Sequence, residues 1–207
     1  MAVQIDHPCV QHKLAIIRHT DTGHKRFREL ATEITIFLCY EALKHIKTKE
    51  VDVQTPLAIA KCHKLDTDIV VVPILRAGVG MLEGILELVP TARVGFVGLY
   101  RDEETKQPVT YYQRFPSQTK GGTCIIIDPM LATGGSTIAA IDLLKESGAE
   151  EIVVICIVTC NEGIDLVEKA HPDVPIFTAS IDDHLDENKY IVPGLGDAGD
   201  RLFGTTH

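Results

Sequence analysis

Three unbroken apolar runs set the rhythm of the chain: Ile69 to Leu75, Cys124 to Ile127 and Ile152 to Val158. Runs of this length, rich in Val and Ile and without polar alternation, predict strands buried on both faces of a parallel sheet. A similar stretch, Ala92 to Tyr100, predicts a strand ending at Arg101, and Ile176 to Ile181 predicts a fifth. Helical patterns lie between them: Met81 to Leu88; Ala139, Ile141, Leu143 and Leu144; and a short helix from the Asn161-Glu-Gly turn to about Lys169. Strands alternating with helices specify an α/β fold, a mostly parallel twisted sheet with helices on both faces. At the N-terminal end, Val3 to Thr22 shows little periodicity beyond Leu14-Ala-Ile-Ile17. After the turn at Thr20-Asp-Thr-Gly23, Phe27, Leu30, Ile34 and Leu38 form one apolar stripe on a helix reaching about Ile46. Residues 1–50 therefore read as an N-terminal helical arm, its stripe serving either internal packing or contact with a second copy. His19, His24 and His45 have no metal-like spacing and read as packing or surface residues.

The chemistry gathers where strands end. Between the central strand and its helix stands Asp128-Pro-Met-Leu-Ala-Thr-Gly-Gly-Ser136. Gly134 and Gly135 permit positive φ and close approach of backbone N–H groups to an anion, while Ser136 or Thr137 is placed to cap the helix. A phosphate there would meet amide donors and the positive end of the helix dipole together. Asp128, at the strand end, suits a pair of sugar hydroxyls. A Walker loop needs Lys before the Ser/Thr, and Gly135 holds that place, which disfavours triphosphate hydrolysis. Arg76-Ala-Gly-Val-Gly80 sets a cation on a small-residue loop at the carboxyl end of another strand, where α/β sheets bind ligands. Arg101 ends the next strand. The polar segment from Asp102 to Ser117, carrying Tyr111, Tyr112 and Arg114 and broken by Pro108 and Pro116, is either a lid or a solvated hairpin. The tail, Tyr190 to Thr205, is Gly-rich and without helical or strand period. Its Ile191, Val192, Leu195, Leu202 and Phe203 would dock it on the core as a small hood that displays backbone groups.

Composition narrows the classes. A chain of 207 residues suits a single domain spanning 1–207, with 182–207 as its C-terminal loop. A net charge of −9 and a pI near 5.4 oppose a nucleic-acid surface, which needs clustered Lys and Arg. The six Cys form no C-x-x-C pair, and Cys124 and Cys156 fall inside apolar runs, so core thiols in a reducing cytoplasm are expected. No leader or long apolar run points to a membrane.

Three motifs, Leu75-Arg-Ala-Gly78, Asp128 to Ser136 and Gly194-Leu-Gly-Asp-Ala-Gly-Asp-Arg201, together resemble those of the type I phosphoribosyltransferases and specifically their uracil branch. Most of that superfamily shows two adjacent acids at the strand end; Pro129 in place of the second is characteristic of the uracil branch. The resemblance implies transfer of the phosphoribosyl group of phosphoribosyl pyrophosphate (PRPP) to uracil, giving UMP and pyrophosphate. It assigns PRPP to Arg76, Arg101, Asp128, Pro129, Met130, Leu131, Ala132, Thr133, Gly134, Gly135, Ser136 and Asp197, and uracil to Ile191, Gly196, Asp197 and Ala198. It also implies Mg²⁺ carried by PRPP without direct protein ligands, a homo-oligomer, GTP as an effector, and any cis non-proline peptide falling at Leu75–Arg76. Arg76 would stabilise the leaving group. Asp197 would accept the uracil N1 proton or, equally, position substrate or a Mg²⁺-bound water. The rivals are a phosphoribosyltransferase for another base, opposed by the tail motif, and an RNA-binding regulator on the same fold, opposed by the acidic balance.

Overall fold

The computed structural model describes residues 1–101 and 108–205. From the N-terminus run β1 (Ala2–Gln4), α1 (Pro8–Arg18), α2 (His24–Ala42), β2 (Thr48–Gln54), β3 (Ile59–Leu65), β4 (Ile69–Leu75) and α3 (Val79–Leu88). There follow β5 (Arg93–Val94), β6 (Phe96–Arg101), β7 (Pro108–Arg114), β8 (Thr123–Ile127), β9 (Met130–Leu131), α4 (Gly135–Glu146) and β10 (Glu151–Cys160). The chain ends with α5 (Asn161–Ala170), β11 (Ile176–Asp182), β12 (His184–Leu185), β13 (Ile191–Val192) and α6 (Ala198–Phe203). The main sheet has the order β1-β11-β10-β8-β4-β6-β7 and is parallel except for β7, which lies antiparallel on β6.

The three apolar runs occupy its middle, and the period of two in a strand explains their composition. Ile69 and Val71 of β4, Ile125 and Ile127 of β8, and Val153, Ile155 and Ile157 of β10 face the layer made by α1, α2, α3 and α6. The intervening Val70, Val72, Cys124, Ile126, Ile152, Val154 and Cys156 face α4 and α5. Both faces are covered, so these positions are apolar, and the polar side chains buried at the strand ends, Thr123 and Thr159, are hydrogen-bonded. Burial pushes the Cys124 and Cys156 thiols up to about 12, in keeping with core packing.

The structure decides one open alternative and differs from the sequence reading in four details. The apolar stripe Phe27, Leu30, Ile34 and Leu38 is wholly buried against the sheet, which is the internal-packing alternative. That helix stops at Ala42, and Val10, Leu14 and Ile17 make α1 a second amphipathic helix in the segment that seemed aperiodic. What projects instead is the antiparallel hairpin β2–β3, turned by Thr55 hydrogen bonds to Ala58 and tipped by Leu57, which is 96% exposed. The tail contains the short helix α6, initiated by Asp197.

Chain register fixes the site. In the sheet Pro73 lies beside Ile127 and Ile127 beside Ile155, so the loops after β4, β8 and β10 leave one edge as neighbours. Gly78, at the N-cap of α3, is what lets the first two approach: a Cβ there would stand 2.4 Å from the Ile127 carbonyl oxygen and 2.7 Å from the Ile74 nitrogen. These are backbone atoms with no rotamer to yield. Gly78→Ala should therefore destabilise the protein by about 1–3 kcal/mol, the usual range for overpacking. Gly23→Ala, which meets nothing within 4 Å, should cost less, about 0.5 kcal/mol for the poorer N-cap it gives α2. Thermal unfolding of the two variants checks the contrast, and equal melting temperatures would refute it.

Candidate active site

The loop after β8 is held by the strand beside it. The Ile157 and Val158 N–H groups donate to the Pro129 carbonyl (3.0 and 3.1 Å), and the Thr159 hydroxyl donates to the Leu131 carbonyl (2.8 Å). These contacts commit the carbonyls of the loop to the protein and leave amides for a ligand. At Gly134 the chain turns with φ 81°, and α4 starts at Gly135. Gly134, rather than Ser136 or Thr137, is thus the N-cap, since the left-handed turn costs least without a side chain. The Gly135, Ser136 and Thr137 N–H groups fall in the first turn, where the helix supplies no acceptor; Ile138 is the first to donate inward, to the Gly134 carbonyl at 2.9 Å. A Cβ on Gly134 would meet the Gly163 carbonyl oxygen (3.0 Å) and Val167 (3.2 Å) of α5, so its missing side chain makes room for a helix, not for a phosphate.

At the end of β8 the Asp128 carboxylate accepts one hydrogen bond among the described residues, a long one from the Met130 N–H (3.4 Å). Its desolvated setting pushes the carboxyl up to about 7, which that single bond only partly opposes. Two hydroxyl donors would supply what this carboxylate lacks.

Arg76 follows a cis peptide at Leu75–Arg76, the position expected from the motif. Its side chain is 63% exposed, with Nη2 3.8 Å from Asp200 Oδ1. The donors of the guanidinium are thus barely engaged. An ideal Cβ at Gly199 would lie 3.7 Å from the same nitrogen and 3.2 Å from Asp197 Oδ1. The loop after β4 and the tail are therefore in contact, although residues 76 and 199 lie far apart in the chain. Arg101 ends β6, whose Gly98 pairs with Leu75, so its backbone reaches the same edge. Its side chain and residues 102–107, the middle of the expected lid, lie outside the described residues; the flanking β7 pairs with β6 as a hairpin strand.

In the tail, Asp197 Oδ1 accepts the Asp200 N–H at 2.8 Å and so caps α6, which occupies one oxygen of a residue assigned to catalysis. The Ile191 and Ala198 side chains are buried, so these positions could offer a base only backbone groups. Gly196 takes φ 69°, and among the described residues its N–H and C=O find no hydrogen-bond partner. Four residues absent from the motif-based set stand behind this loop: Arg18, Asp182, Asp200 and Arg201. Only Asp200 and Arg201, inside the tail motif, had any local signal.

For Mg²⁺, the hard oxygen donors in these loops are Asp128, Asp197 and Asp200, but no three-ligand group forms among the described residues. Such a set fits a cation held mainly by substrate oxygens and water, with one or two carboxylates contributing.

Comparison with known proteins agrees with this geometry. The family model described as uracil phosphoribosyltransferase matches residues 3–205. A uracil phosphoribosyltransferase of Symbiobacterium thermophilum is 53% identical over 204 residues, 98% of either chain. One from Dictyoglomus thermophilum is 53% identical over 206 residues, covering 99% of this chain and all of the relative. The solved structure of the AQ2163 protein from Aquifex aeolicus superposes with a TM-score of 0.94 at 39% identity, covering 100% and 99% of the two chains. With the three motif loops converging at one sheet edge and the match spanning nearly every residue, the chain belongs to the uracil phosphoribosyltransferase family.

Proposed function

We propose that the protein transfers the phosphoribosyl group of PRPP to uracil, releasing pyrophosphate and yielding UMP. The observation that carries the reading is the meeting of Arg76 with the tail at Gly199 and Asp200, which supports a leaving-group role for the cation beside a base-receiving role for the loop. In the reaction the C1–O bond to pyrophosphate breaks, the C1–N1 bond to uracil forms, and N1 gives up its proton. The amides of Gly135, Ser136 and Thr137 hold the 5′-phosphate at the positive end of α4. Asp128 accepts the two ribose hydroxyls. Arg76, with Arg101, meets the negative charge that grows on the departing pyrophosphate. Asp197, with Oδ1 committed to the cap, keeps Oδ2 for the N1 proton or for a water. Mg²⁺, when bound with the substrate, supplies counter-charge to the pyrophosphate.

Three outcomes follow. Uracil should be used and cytosine rejected by roughly 10⁴ or more in kcat/KM, because a backbone-built site leaves buried groups unpaired when donor and acceptor exchange places. Comparable values for the two bases would sink the assignment.

Arg76→Ala should lower kcat by about 10²–10³ with little change in the KM for uracil, since leaving-group charge develops only in the transition state. Arg76→Lys should recover part of the loss, lacking the planar fork. A normal kcat with only a raised KM for PRPP would reassign Arg76 to uniform binding.

The raised pKa of Asp128 sets a pH dependence. Hydroxyl donors favour its ionised form, so binding expels a proton, and PRPP affinity should fall as pH drops through about 7. Asp128→Asn should bind more weakly and lose that part of the slope. Calorimetry between pH 6 and 8 compares the two proteins and subtracts the titration of PRPP itself; parallel slopes would exclude the role.

A further inference from the structure

Both backbone groups of Gly194 are gripped by one ion pair. Arg18, the last residue of α1, donates Nη2 to Asp182 Oδ1 (2.6 Å) and Nη1 to Asp182 Oδ2 (2.7 Å), and Nη1 also reaches the Gly194 carbonyl (2.8 Å). Asp182 Oδ2 in turn accepts the Gly194 N–H (2.9 Å), and Ser180 Oγ donates to Oδ1 (2.7 Å). The Asp182 side chain is 2% exposed. Burial alone would raise its pKa, but Arg18, Ser180 and the Gly194 N–H outweigh that and hold it below the usual carboxylate range, so the pair stays ionised at neutral pH.

The neighbouring carbonyl is gripped in the same manner. Arg201 donates Nη1 to Leu195 (2.9 Å) and Nη2 to the His19 carbonyl (2.6 Å), with its guanidinium 4.5 Å from the centre of the Phe27 ring. Two guanidinium groups thus turn two successive carbonyls, 194 and 195, toward the α1–α2 corner. The chain then passes to Gly196, whose N–H and C=O find no partner among the described residues. Gly194 itself cannot be replaced without moving this turn, as a Cβ would fall 2.0 Å from the Ile191 carbonyl oxygen.

We propose that Arg18 is a positioning residue for base selection: with Asp182 and Arg201 it orients the Gly194–Ala198 loop, and it sets uracil affinity and discrimination without touching a ligand. The proposal rests on that loop receiving the base. Its physical content is the fork of Arg18, which holds a carboxylate and a carbonyl at once; a Lys ammonium preserves the charge beside Asp182 but not that paired direction.

The test uses Arg18→Lys, which keeps a counter-charge beside the buried Asp182 and so should fold where Arg18→Met fails. Steady-state kinetics should show a roughly tenfold or greater rise in the KM for uracil, the scale of one lost hydrogen bond to a charged group. The KM for PRPP and kcat should stay within about threefold, and the uracil/cytosine ratio should fall. Gly196→Val, which alters the loop itself, is measured beside it. If Gly196→Val raises the KM for uracil and Arg18→Lys does not, the positioning role is overturned while the loop keeps its base. If neither variant shifts it, the loop does not receive uracil and both readings fail. Equal losses in kcat and both KM values, with a lowered melting temperature, would make Arg18 a merely structural residue and also overturn the proposal.

Discussion

The site depends on the lateral hydrogen bonding of three strands. β8 lies between β4 and β10 in parallel register, and all three are apolar on both faces. Slipping any of them by one residue would carry its side chains from one helical layer to the other. Both layers are apolar, so composition alone permits the slip; the volumes packed against α2 on one side and α4 on the other oppose it. Because register is held there, the loops that follow leave the sheet at a set height, and the small side-chain inventory of the site is brought into place by backbone.

An acidic protein that handles a highly anionic substrate presents an apparent contradiction, and the local structure resolves it. Positive potential comes from the amino end of α4 and from the exposed guanidinium of Arg76, not from net charge. The Pro129 and Leu131 carbonyls, which would repel a phosphate, are turned into β10. Glycine serves here less to admit a ligand than to let protein approach protein: Gly134 and Gly163 let α5 pack on the loop after β8, with a Cβ on Gly163 reaching within 2.3 Å of the Ala132 carbonyl oxygen.

The tail follows a different logic. It has little regular structure to orient it, and its order comes from charged side chains, Arg18 and Asp182 outside it and Asp197 and Arg201 within it. Arg18 and Asp182 belong to elements from opposite ends of the chain, and their contact closes the corner between α1, β11 and the loop. A buried pair of this kind adds little net stability over an apolar substitute, yet losing one partner is costly. That asymmetry suits a device that fixes geometry.

The central strands, their helices and the glycine turn ahead of α4 were legible in the sequence, because each is encoded by neighbours: β-branched runs at 69–75, 124–127 and 152–158, and glycines at 134 and 135. The same locality explains what was missed. In β2 and β3 apolar residues merely alternate with charges, and α1 presents three buried side chains among polar neighbours, so both looked featureless until their partners were in place. The polar tail gained a helix only because Asp197 caps it and Leu202 is buried by the core. Motifs marked Arg76, Asp128 and the Gly194–Arg201 stretch as chemistry-bearing, but nothing local joined them. The tertiary structure alone decided that the first and last meet at Gly199 and that Arg18 reaches across 164 residues to Asp182 and 176 to Gly194, since such pairings follow from chain topology and leave no periodic trace in the sequence.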